Sequence, residues 1–302
     1  MSSSTAADPA FSRPEGRSGT ASGAQDRTRQ LLSRARRLTT PLMRTAVDTL
    51  PAELRLMAGY HLGWCEADGT VAAGAAGKGL RPALVLAAAA AAGGSSDAAL
   101  HAAAAVEMVH NFTVIHDEVM DRDAVRRGRP TVWRLWGADD AVLVGDALHS
   151  LAIWTLAEAP DAALAGIARL EDAVIELCLG QHHECAHETW AVAGLDAYLE
   201  TLRHRAAVLF GCACAMGALS AGAPSEVVAA MDRFGRELGV AVQLSLDPPS
   251  GRAAELIARA GGKAWARAES GRRVRAAASL LAGRPAEDLL ALADGLVGCA
   301  RR

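Results

Sequence analysis

The helical run at residues 109–121 constrains this chain most, because an apolar sequence there ends in acidic residues. At helical spacing the residues at i, i+3, i+7 and i+11 are His110, Thr113, Asp117 and Asp121, so their side chains share one face. The run therefore predicts a helix on which two carboxylates, Asp117 and Asp121, point in the same direction one turn apart.

Composition extends the prediction of helix to the whole chain. Hydrophobic residues make up 51% of the 302 residues and aromatic residues only 4%, and the excess is alanine, which has the highest helix propensity. Because few β-branched runs alternate, the expected fold class is all-α. No linker rich in Pro, Gly or Ser follows residue 30, which predicts one domain over residues 28–302 behind a disordered tail at residues 1–27.

Charge and cysteine content exclude some classes of function. The net charge of −3 and the pI near 6.3 give no basic surface for nucleic acid. The six cysteines show no paired C-x-x-C spacing, so we expect reduced thiols and a cytoplasmic location. The N-terminus lacks the apolar core of a signal peptide. The longest apolar run, residues 83–94, is shorter than the ~20 residues that span a bilayer, so no membrane span is predicted.

The two carboxylates and the arginines that follow them indicate a site for a metal ion and a phosphate. Mg²⁺ takes oxygen ligands and is usually completed by waters and substrate phosphates, which makes Asp117 and Asp121 candidate Mg²⁺ ligands. Arg126 and Arg127 can each hold phosphate oxygens with two hydrogen bonds. The competing interpretation is a solvated acidic surface, but the same face continues into an apolar stretch, where a carboxylate usually has a partner. A diphosphate is therefore the expected substrate.

These residues carry a resemblance to a known family. The stretch from Val106 to Asp121, with His116-Asp117-Glu118-Val119-Met120-Asp121 at its end, and the following Arg126-Arg127-Gly128-Arg129-Pro130-Thr131 resemble the first aspartate-rich motif of the trans-isoprenyl (polyprenyl) diphosphate synthases, such as bacterial geranylgeranyl and farnesyl diphosphate synthases. The resemblance implies an isoprenoid synthase-type helical bundle around a central diphosphate and prenyl cavity. It also implies Mg²⁺ as the cofactor, an allylic diphosphate held by Arg126 and isopentenyl diphosphate held by Arg127.

A second stretch extends the resemblance towards the isopentenyl substrate. Residues 77–82, GKGLRP, resemble the family's G-G-K-R-L-R-P element. This implies that Lys78 and Arg81 hold the diphosphate of isopentenyl diphosphate, with Gly79 in place of an arginine. His110 stands where the family places a further contact to the same diphosphate, and an imidazole can donate to phosphate.

The residues about one turn before Asp117 concern product length. Phe112 and Thr113 lie where a growing prenyl chain would run down from the diphosphate. In the family, bulky residues at these positions form the floor of the chain pocket, which implies a product of limited length, C15 to C20. An ordinary core role for Phe112 is the alternative.

The opposite side of the expected site departs from the family. Arg205 stands where the family has a lysine that faces the allylic diphosphate, and arginine can still bind phosphate. The second aspartate-rich motif, F-Q-x-x-D-D-x-x-D in the family, is replaced by VQLSLDPPSG at residues 242–251, and its double proline must end the helix. Gln243 and Asp247 remain, so Asp247 is a candidate metal ligand while most ligands of the second motif are missing.

Three functions follow from these patterns. The first is a Mg²⁺-dependent short-chain prenyltransferase that condenses isopentenyl diphosphate with an allylic diphosphate, with Asp117, Asp121, Arg126 and Arg205 as its catalytic residues. The second is a catalytically weak or silent homologue that modulates an intact synthase, for which alanine-rich helices would suit a homodimer or heterodimer interface. The third is a terpene synthase-like enzyme that ionises a diphosphate, which the isopentenyl-side residues disfavour. A gap in the gene sequence between Leu244 and Arg252 would also explain the missing motif.

Overall fold

The fold is all-α, as the composition predicts. A computed structural model describes residues 18–72, 77–159, 163–185, 190–246 and 252–299. The helices in these ranges are α1 (Ser18–Asp48), α2 (Ala52–His61), α3 (Leu80–Ala91), α4 (Leu100–Met120), α5 (Val132–Trp136), α6 (Ala138–Ala157), α7 (Ala163–Cys185), α8 (Trp190–Leu202), α9 (Val208–Ser220), α10 (Ser225–Ser245), α11 (Arg252–Ala260), α12 (Gly262–Ser279) and α13 (Glu287–Cys299). A 3-10 turn, Asp97–Ala99, precedes α4, and a π-helical turn, Arg203–Ala207, joins α8 to α9.

The centre of the bundle is built from α3, α4, α9 and α10. Helix α9 is buried at every residue from 208 to 218, and it packs between α3 and α10. A helix that is apolar all round has to be enclosed by other elements. Helix α4 packs mainly against α6 and also against α3, α1 and α9, so the core holds the helix that carries the acidic residues.

Small residues bring the central helices close together. A Cβ atom added at Gly217 of α9 would lie 2.2 Å from the carbonyl oxygen of Val85 in α3, and one added at Gly235 of α10 would lie 2.2 Å from that of Phe210 in α9. Both contacts are with backbone, so neither can be relieved by a rotating side chain. The alanine excess of the sequence therefore serves close helix packing as well as helix formation.

Helix α1 begins earlier than the sequence suggests. It starts at Ser18, so the part of the predicted tail from residue 18 to 27 is helical, whereas residues 1–17 lie outside the described ranges. Contacts with α13 hold this end of α1: the Thr28 hydroxyl donates to the Ala291 carbonyl at 2.8 Å, and Arg27 pairs with Asp288 at 2.7 Å.

Two helical stretches, Asp97–Met120 and Ala138–Ala157, are long and apolar enough to cross a membrane by length and composition. They include α4 and α6, which pack against each other inside the bundle. Because core helices share this composition, their apolar character is accounted for by the contacts they make in the fold. Both stretches are longer than the apolar run at residues 83–94, on which the prediction of no membrane span rested.

Helix α10 ends where the prolines require it. Its last residue is Ser245, and Leu246 is extended with ψ 164, two residues before Pro248. Helix α12 then packs back on α10: the buried Ser270 hydroxyl donates to the Ala241 carbonyl at 2.8 Å. Residues 247–251 lie outside the described ranges.

Candidate active site

The predicted acidic face exists at the end of α4. Asp121 follows the last residue of the helix and its N–H donates to the Asp117 carbonyl at 2.8 Å, so the helical spacing is kept. The Asp117 side chain is 37% exposed, and Asp121 is exposed. Burial, opposed by the Arg205 guanidinium and reinforced by the negative charge of Asp121, raises the pKa of Asp117 to about 6.

The chemistry of this face suits a hard cation. Two carboxylates one turn apart supply oxygen donors, and the raised pKa of Asp117 shows that its negative charge is incompletely compensated by the protein. Within the described ranges, no group of three or more His, Cys, Asp or Glu side chains is arranged to hold a metal. Asp247, the third predicted ligand, lies outside those ranges. Asp117 and Asp121 would therefore need waters and substrate oxygens to complete a Mg²⁺ site.

A short hairpin after α4 carries the arginines. Its strands are β1 (Val125–Arg126) and β2 (Arg129–Pro130), and both turn residues, Arg127 and Gly128, have positive φ, 52° and 78°. This is the backbone of a type I′ turn. Its positive φ is energetically less favourable for arginine, which has a Cβ atom, than for glycine. Arg129 fixes the hairpin to α2, because its guanidinium donates to the Cys65 carbonyl at 2.9 Å and stacks 4.1 Å above the Tyr60 ring.

The hairpin arginines surround a small cavity with two histidines. The cavity has a volume of about 40 Å³, and its lining includes His61, His110, Arg126, Arg127 and Arg129. Burial, with the charges of Arg126 and Arg127 adding to it, lowers the pKa of His61 to about 3. Burial and the neighbouring arginines likewise hold the pKa of His110 well below its usual value. A neutral imidazole among guanidinium groups is an environment that favours an anionic ligand.

Glu118 faces the small cavity rather than the acidic face. Its side chain is 2% exposed, and one carboxylate oxygen lies 3.4 Å from the Arg126 Nε. Burial, opposed chiefly by the charge of Arg126, raises the pKa of Glu118 to about 7. Neither carboxylate oxygen has a hydrogen-bond partner in the described part of the chain. The substitution of glutamate at this motif position therefore brings a carboxylate against Arg126.

A larger cavity lies between two walls. It has a volume of about 390 Å³, and its lining includes apolar side chains such as Val174, Leu177 and Leu209. Asp117 and Arg205 also line it, and we call the place where these two side chains approach each other its mouth. We call α4, Arg81 and the hairpin the α4 wall, and α7, the π-helical turn and α10 the facing wall. The facing wall contributes Gln181, Arg205 and Gln243, and the Arg205 Nη2 lies 3.8 Å from the Asp117 Oδ2.

Phe112 lines the larger cavity and is fixed by rings on both sides. Its ring meets the His116 ring edge to face with centroids 4.7 Å apart and stacks on the His149 ring at 5.0 Å. His149 in turn lies 2.9 Å from a carboxylate oxygen of Glu171 on α7. Thr113 also lines the cavity, although its hydroxyl donates to the His110 carbonyl at 2.9 Å.

The isopentenyl-side residues are partly assembled. Arg81 lines the larger cavity, and burial, opposed by Glu107, lowers its pKa to about 10. A Cβ at Gly77 would lie 3.4 Å from Glu107 Oε1 and 3.9 Å from Arg127 Nη1, so the loop before α3 runs beside these charges. Lys78 in this loop is exposed and lines neither cavity.

The structure thus gathers most of the predicted residues. The larger cavity is lined by Arg81, His110, Phe112, Thr113, Asp117, Arg205 and Gln243, and the smaller one by His110, Arg126 and Arg127. Lys78 and Asp121 line neither. Sequence reasoning missed His61, for which no local signal exists, and Glu107, which its spacing of three residues from His110 could have identified.

Comparisons with known proteins identify the family to which this chain is similar. The model of the polyprenyl synthetase family matches residues 64–247. The chain is 48% identical over 220 residues to the geranylgeranyl diphosphate synthase of Mycobacterium tuberculosis, an alignment that covers 72% of this chain and 63% of that protein. It therefore spans less than two thirds of the length of this relative.

Solved structures show the same fold. The polyprenyl synthetase from Streptomyces coelicolor A3(2) superposes with a TM-score of 0.80 at 29% identity, covering 88% of this chain and 98% of that chain. A polyprenyl synthase from Caulobacter crescentus CB15, complexed with calcium and isoprenyl diphosphate, superposes with a TM-score of 0.76 at 25% identity, covering 92% and 98%. The cavity between the two walls therefore lies in a bundle shared with these proteins.

Proposed function

The chain belongs to the polyprenyl synthetase family, and we propose that it is a Mg²⁺-dependent short-chain prenyltransferase that condenses isopentenyl diphosphate with an allylic diphosphate. One observation supports this most: a largely apolar cavity of about 390 Å³ has a carboxylate, Asp117, and two guanidinium groups, Arg81 and Arg205, in its lining. A charged mouth above an apolar cavity fits a ligand with a diphosphate head and a hydrocarbon chain.

The allylic diphosphate would bind at the mouth. Bound Mg²⁺ would supply positive charge to the departing diphosphate, and Asp117 and Asp121 are the residues that would hold it. Arg205 lines this cavity and Arg126 lines the smaller one beside it, and both would bind the diphosphate oxygens directly. Stabilising the charge that develops on the leaving group is the main task of such a site.

Isopentenyl diphosphate would bind beside the allylic substrate, where the two cavities share His110. Arg81, His110 and Arg127 surround this region, and Lys78 lies in the adjacent loop. Because His110 is neutral, it can donate one hydrogen bond to phosphate without adding charge. The arrangement would bring the double bond of one substrate beside the cavity mouth where the other ionises.

The product would be C15 to C20. Phe112 narrows the cavity one turn below Asp117, and His116 and His149 hold its ring. The named activity of the mycobacterial relative, geranylgeranyl diphosphate synthesis, is consistent with this length.

An assay with purified full-length protein tests the proposal. Labelled isopentenyl diphosphate is supplied with Mg²⁺ and either geranyl or farnesyl diphosphate, and we expect its conversion into C15 to C20 products. Asp117→Asn should lose this conversion, whereas the matched exposed variant Asp139→Asn, at the start of α6, should retain it. Absence of conversion by the wild type would rule out stand-alone activity.

A modulatory subunit is the second candidate function. Its support is the sparse facing wall, where α10 ends at Ser245 and Arg205 brings positive charge to the cavity mouth. Such a protein would bind prenyl diphosphates and act in a heterodimer with an intact synthase, whereas the first candidate would act as a homodimer. Co-purification with a synthase from the same source, followed by the assay with and without that partner, separates the two.

A further inference from the structure

The π-helical turn at Arg203–Ala207 is an unusual way to present Arg205. A π turn is rare, and it changes the direction in which the following side chains point relative to a regular α-helix. The local sequence, Arg-His-Arg-Ala-Ala, contains no glycine or proline that would interrupt an α-helix. Contacts with other helices must therefore select the wide turn.

Helix α7 lies against this turn at two successive positions. A Cβ at Gly180 would lie 2.7 Å from the His204 carbonyl oxygen and 3.2 Å from the Arg205 Cγ, so a glycine is needed where the turn comes closest. One helical turn earlier, Glu176 accepts from His204 Nδ1 at 3.0 Å. The residue that precedes Arg205 is thereby tied to α7.

Helix α10 holds the same glutamate from the other side. Arg236 donates to both Glu176 oxygens at 2.7 Å, and its Nε donates to Asp232 Oδ2 at 2.9 Å. Asp232 is also bonded by Arg169 of α7. Burial would raise the pKa of Glu176, but the bonds and charge of Arg236 outweigh it and lower that pKa below its usual value. Glu176 is therefore an ionised acceptor that cannot swing away from His204 without breaking the pair with Arg236.

We propose that His204 is a positioning residue: tied through Glu176 to Arg236, it fixes the π-helical turn that directs Arg205 towards Asp117. The geometry behind this is the 3.8 Å approach of the Arg205 guanidinium to Asp117 across the cavity mouth. The inference rests on the proposed function, in which Arg205 binds the allylic diphosphate. It adds a reason why the facing wall can work with few charged groups: the arginine it contributes is held in place by a network of three helical segments.

A neighbouring ion pair supplies a matched control. Arg203 bonds to Glu200 three residues earlier, on the same helical stretch, and both side chains are more exposed than Glu176. Among the residues that the structure describes, this pair makes no bond to α7 or α10. Loss of Arg203 therefore removes an ion pair at the first residue of the turn and leaves the bonds of His204 and Glu176 in place.

The test uses His204→Ala, His204→Asn and Arg203→Ala in the full chain. Asparagine can place an amide N–H near the position of the imidazole Nδ1, so it should keep the bond to Glu176. We expect His204→Ala to raise the KM for geranyl diphosphate and lower kcat, each by about tenfold, since small misplacements of binding groups are costly. The KM for isopentenyl diphosphate should stay within about twofold. His204→Asn and Arg203→Ala should remain close to wild type.

Hydrogen exchange gives a readout that does not depend on turnover. The amides of residues 203–207 should exchange about tenfold faster in His204→Ala than in wild type, and at wild-type rates in the other two variants. Unchanged amide exchange in His204→Ala would overturn the proposal. An equal rise in the KM values of both substrates would overturn it as well. If the wild type shows no prenyl transfer, the proposed function fails, and geranyl diphosphate binding by calorimetry replaces KM. If it binds no geranyl diphosphate either, the exchange rates alone decide whether His204 holds the turn.

Discussion

The two walls of the larger cavity differ in the number of their charged side chains and in the structural elements that carry them. The α4 wall brings Arg81, Asp117 and the hairpin arginines from elements that the core and α2 hold directly. The facing wall contributes Arg205 from a π-helical turn, and polar amides at Gln181 and Gln243. Binding of diphosphate depends mainly on a dense set of cations, whereas ionisation depends on charge from several sides. We therefore expect the α4 wall to determine how tightly diphosphates bind. The facing wall should limit how fast the allylic diphosphate ionises.

The largest expected effect is on the α4 wall. Arg126→Ala should lower kcat/KM for the allylic diphosphate by about 10²–10³, the typical loss for one charge-stabilising donor. It should also destabilise the fold by about 1 kcal/mol, because the buried Glu118 carboxylate loses its partner. Solvent screening keeps this loss small, since the Arg126 side chain is itself 41% exposed. Steady-state kinetics and urea unfolding measure the two effects.

A double variant separates these two consequences. Arg126→Ala with Glu118→Gln should recover much of the stability but none of the activity, while the exposed Arg134→Ala should change neither. Recovery of activity in the double variant would mean that Arg126 acts through Glu118 and does not bind substrate.

The second prediction compares the walls residue for residue. Asp117→Asn should lower kcat by about 10²-fold, whereas Gln243→Ala on the facing wall should lower it by less than about tenfold. Both residues line the same cavity. The ratio of the two kcat losses therefore measures how unequally the two walls contribute to the reaction. Equal losses would show that the facing wall contributes as much to ionisation as the α4 wall.

The third prediction concerns the pH dependence of stability, to which the buried His61 beside the hairpin arginines contributes. The pKa of His61 falls from 6.5 to about 3 on folding, so the unfolded chain binds this proton more readily. Its contribution to stability is present above pH 6.5 and is lost as the pH falls towards 3. Between pH 6.5 and about pH 5, the free energy of unfolding of the wild type should fall by about 2 kcal/mol more than that of His61→Gln. Urea unfolding at the two pH values measures this difference.

The same variant supplies its own control in a second pH range. Above pH 6.5, where the His61 imidazole is neutral in both the folded and the unfolded chain, His61→Gln should leave the pH dependence of stability unchanged. If the pH dependence is also unchanged below pH 6.5, burial and the neighbouring arginines do not lower the pKa of His61 as the structure indicates.

The smallest expected effect on rate is at the floor between the walls. Phe112→Ala should shift the product beyond C20 while changing kcat/KM for geranyl diphosphate by less than about threefold, because the floor is remote from the diphosphate. Phe112→Leu, which retains more volume, should shift it less. Chromatography of the dephosphorylated products measures the distribution, and unchanged lengths in both variants would assign the floor to other residues.

The sequence predicted what depends on local spacing. The helix at residues 109–121 and its acidic face follow from periodicity alone, and the prolines at residues 248 and 249 foretold the end of α10. Contacts between distant residues could not be foreseen. Glu118 turned out to face Arg126, and α1 starts at Ser18, where its contacts with α13 come from the other end of the chain.

The π-helical turn illustrates the same limit on the facing wall. Nothing in Arg203–Ala207 departs from ordinary helix-forming sequence, and the turn is selected by Gly180, Glu176 and Arg236 from two other helices. The role of Arg205 was inferred from its position in the family motif, but the residues that hold it were invisible to spacing arguments.

The close contacts at Gly217 and Gly235 limit the amino-acid substitutions that this protein can accumulate during evolution. Because each glycine meets the backbone of a neighbouring helix, any larger residue there forces whole helices apart. Neither position can therefore be exchanged even for alanine without moving a neighbouring helix. A library intended to make the protein more heat-resistant would find few improvements there, and its diversity is better placed on the outer faces of the helices.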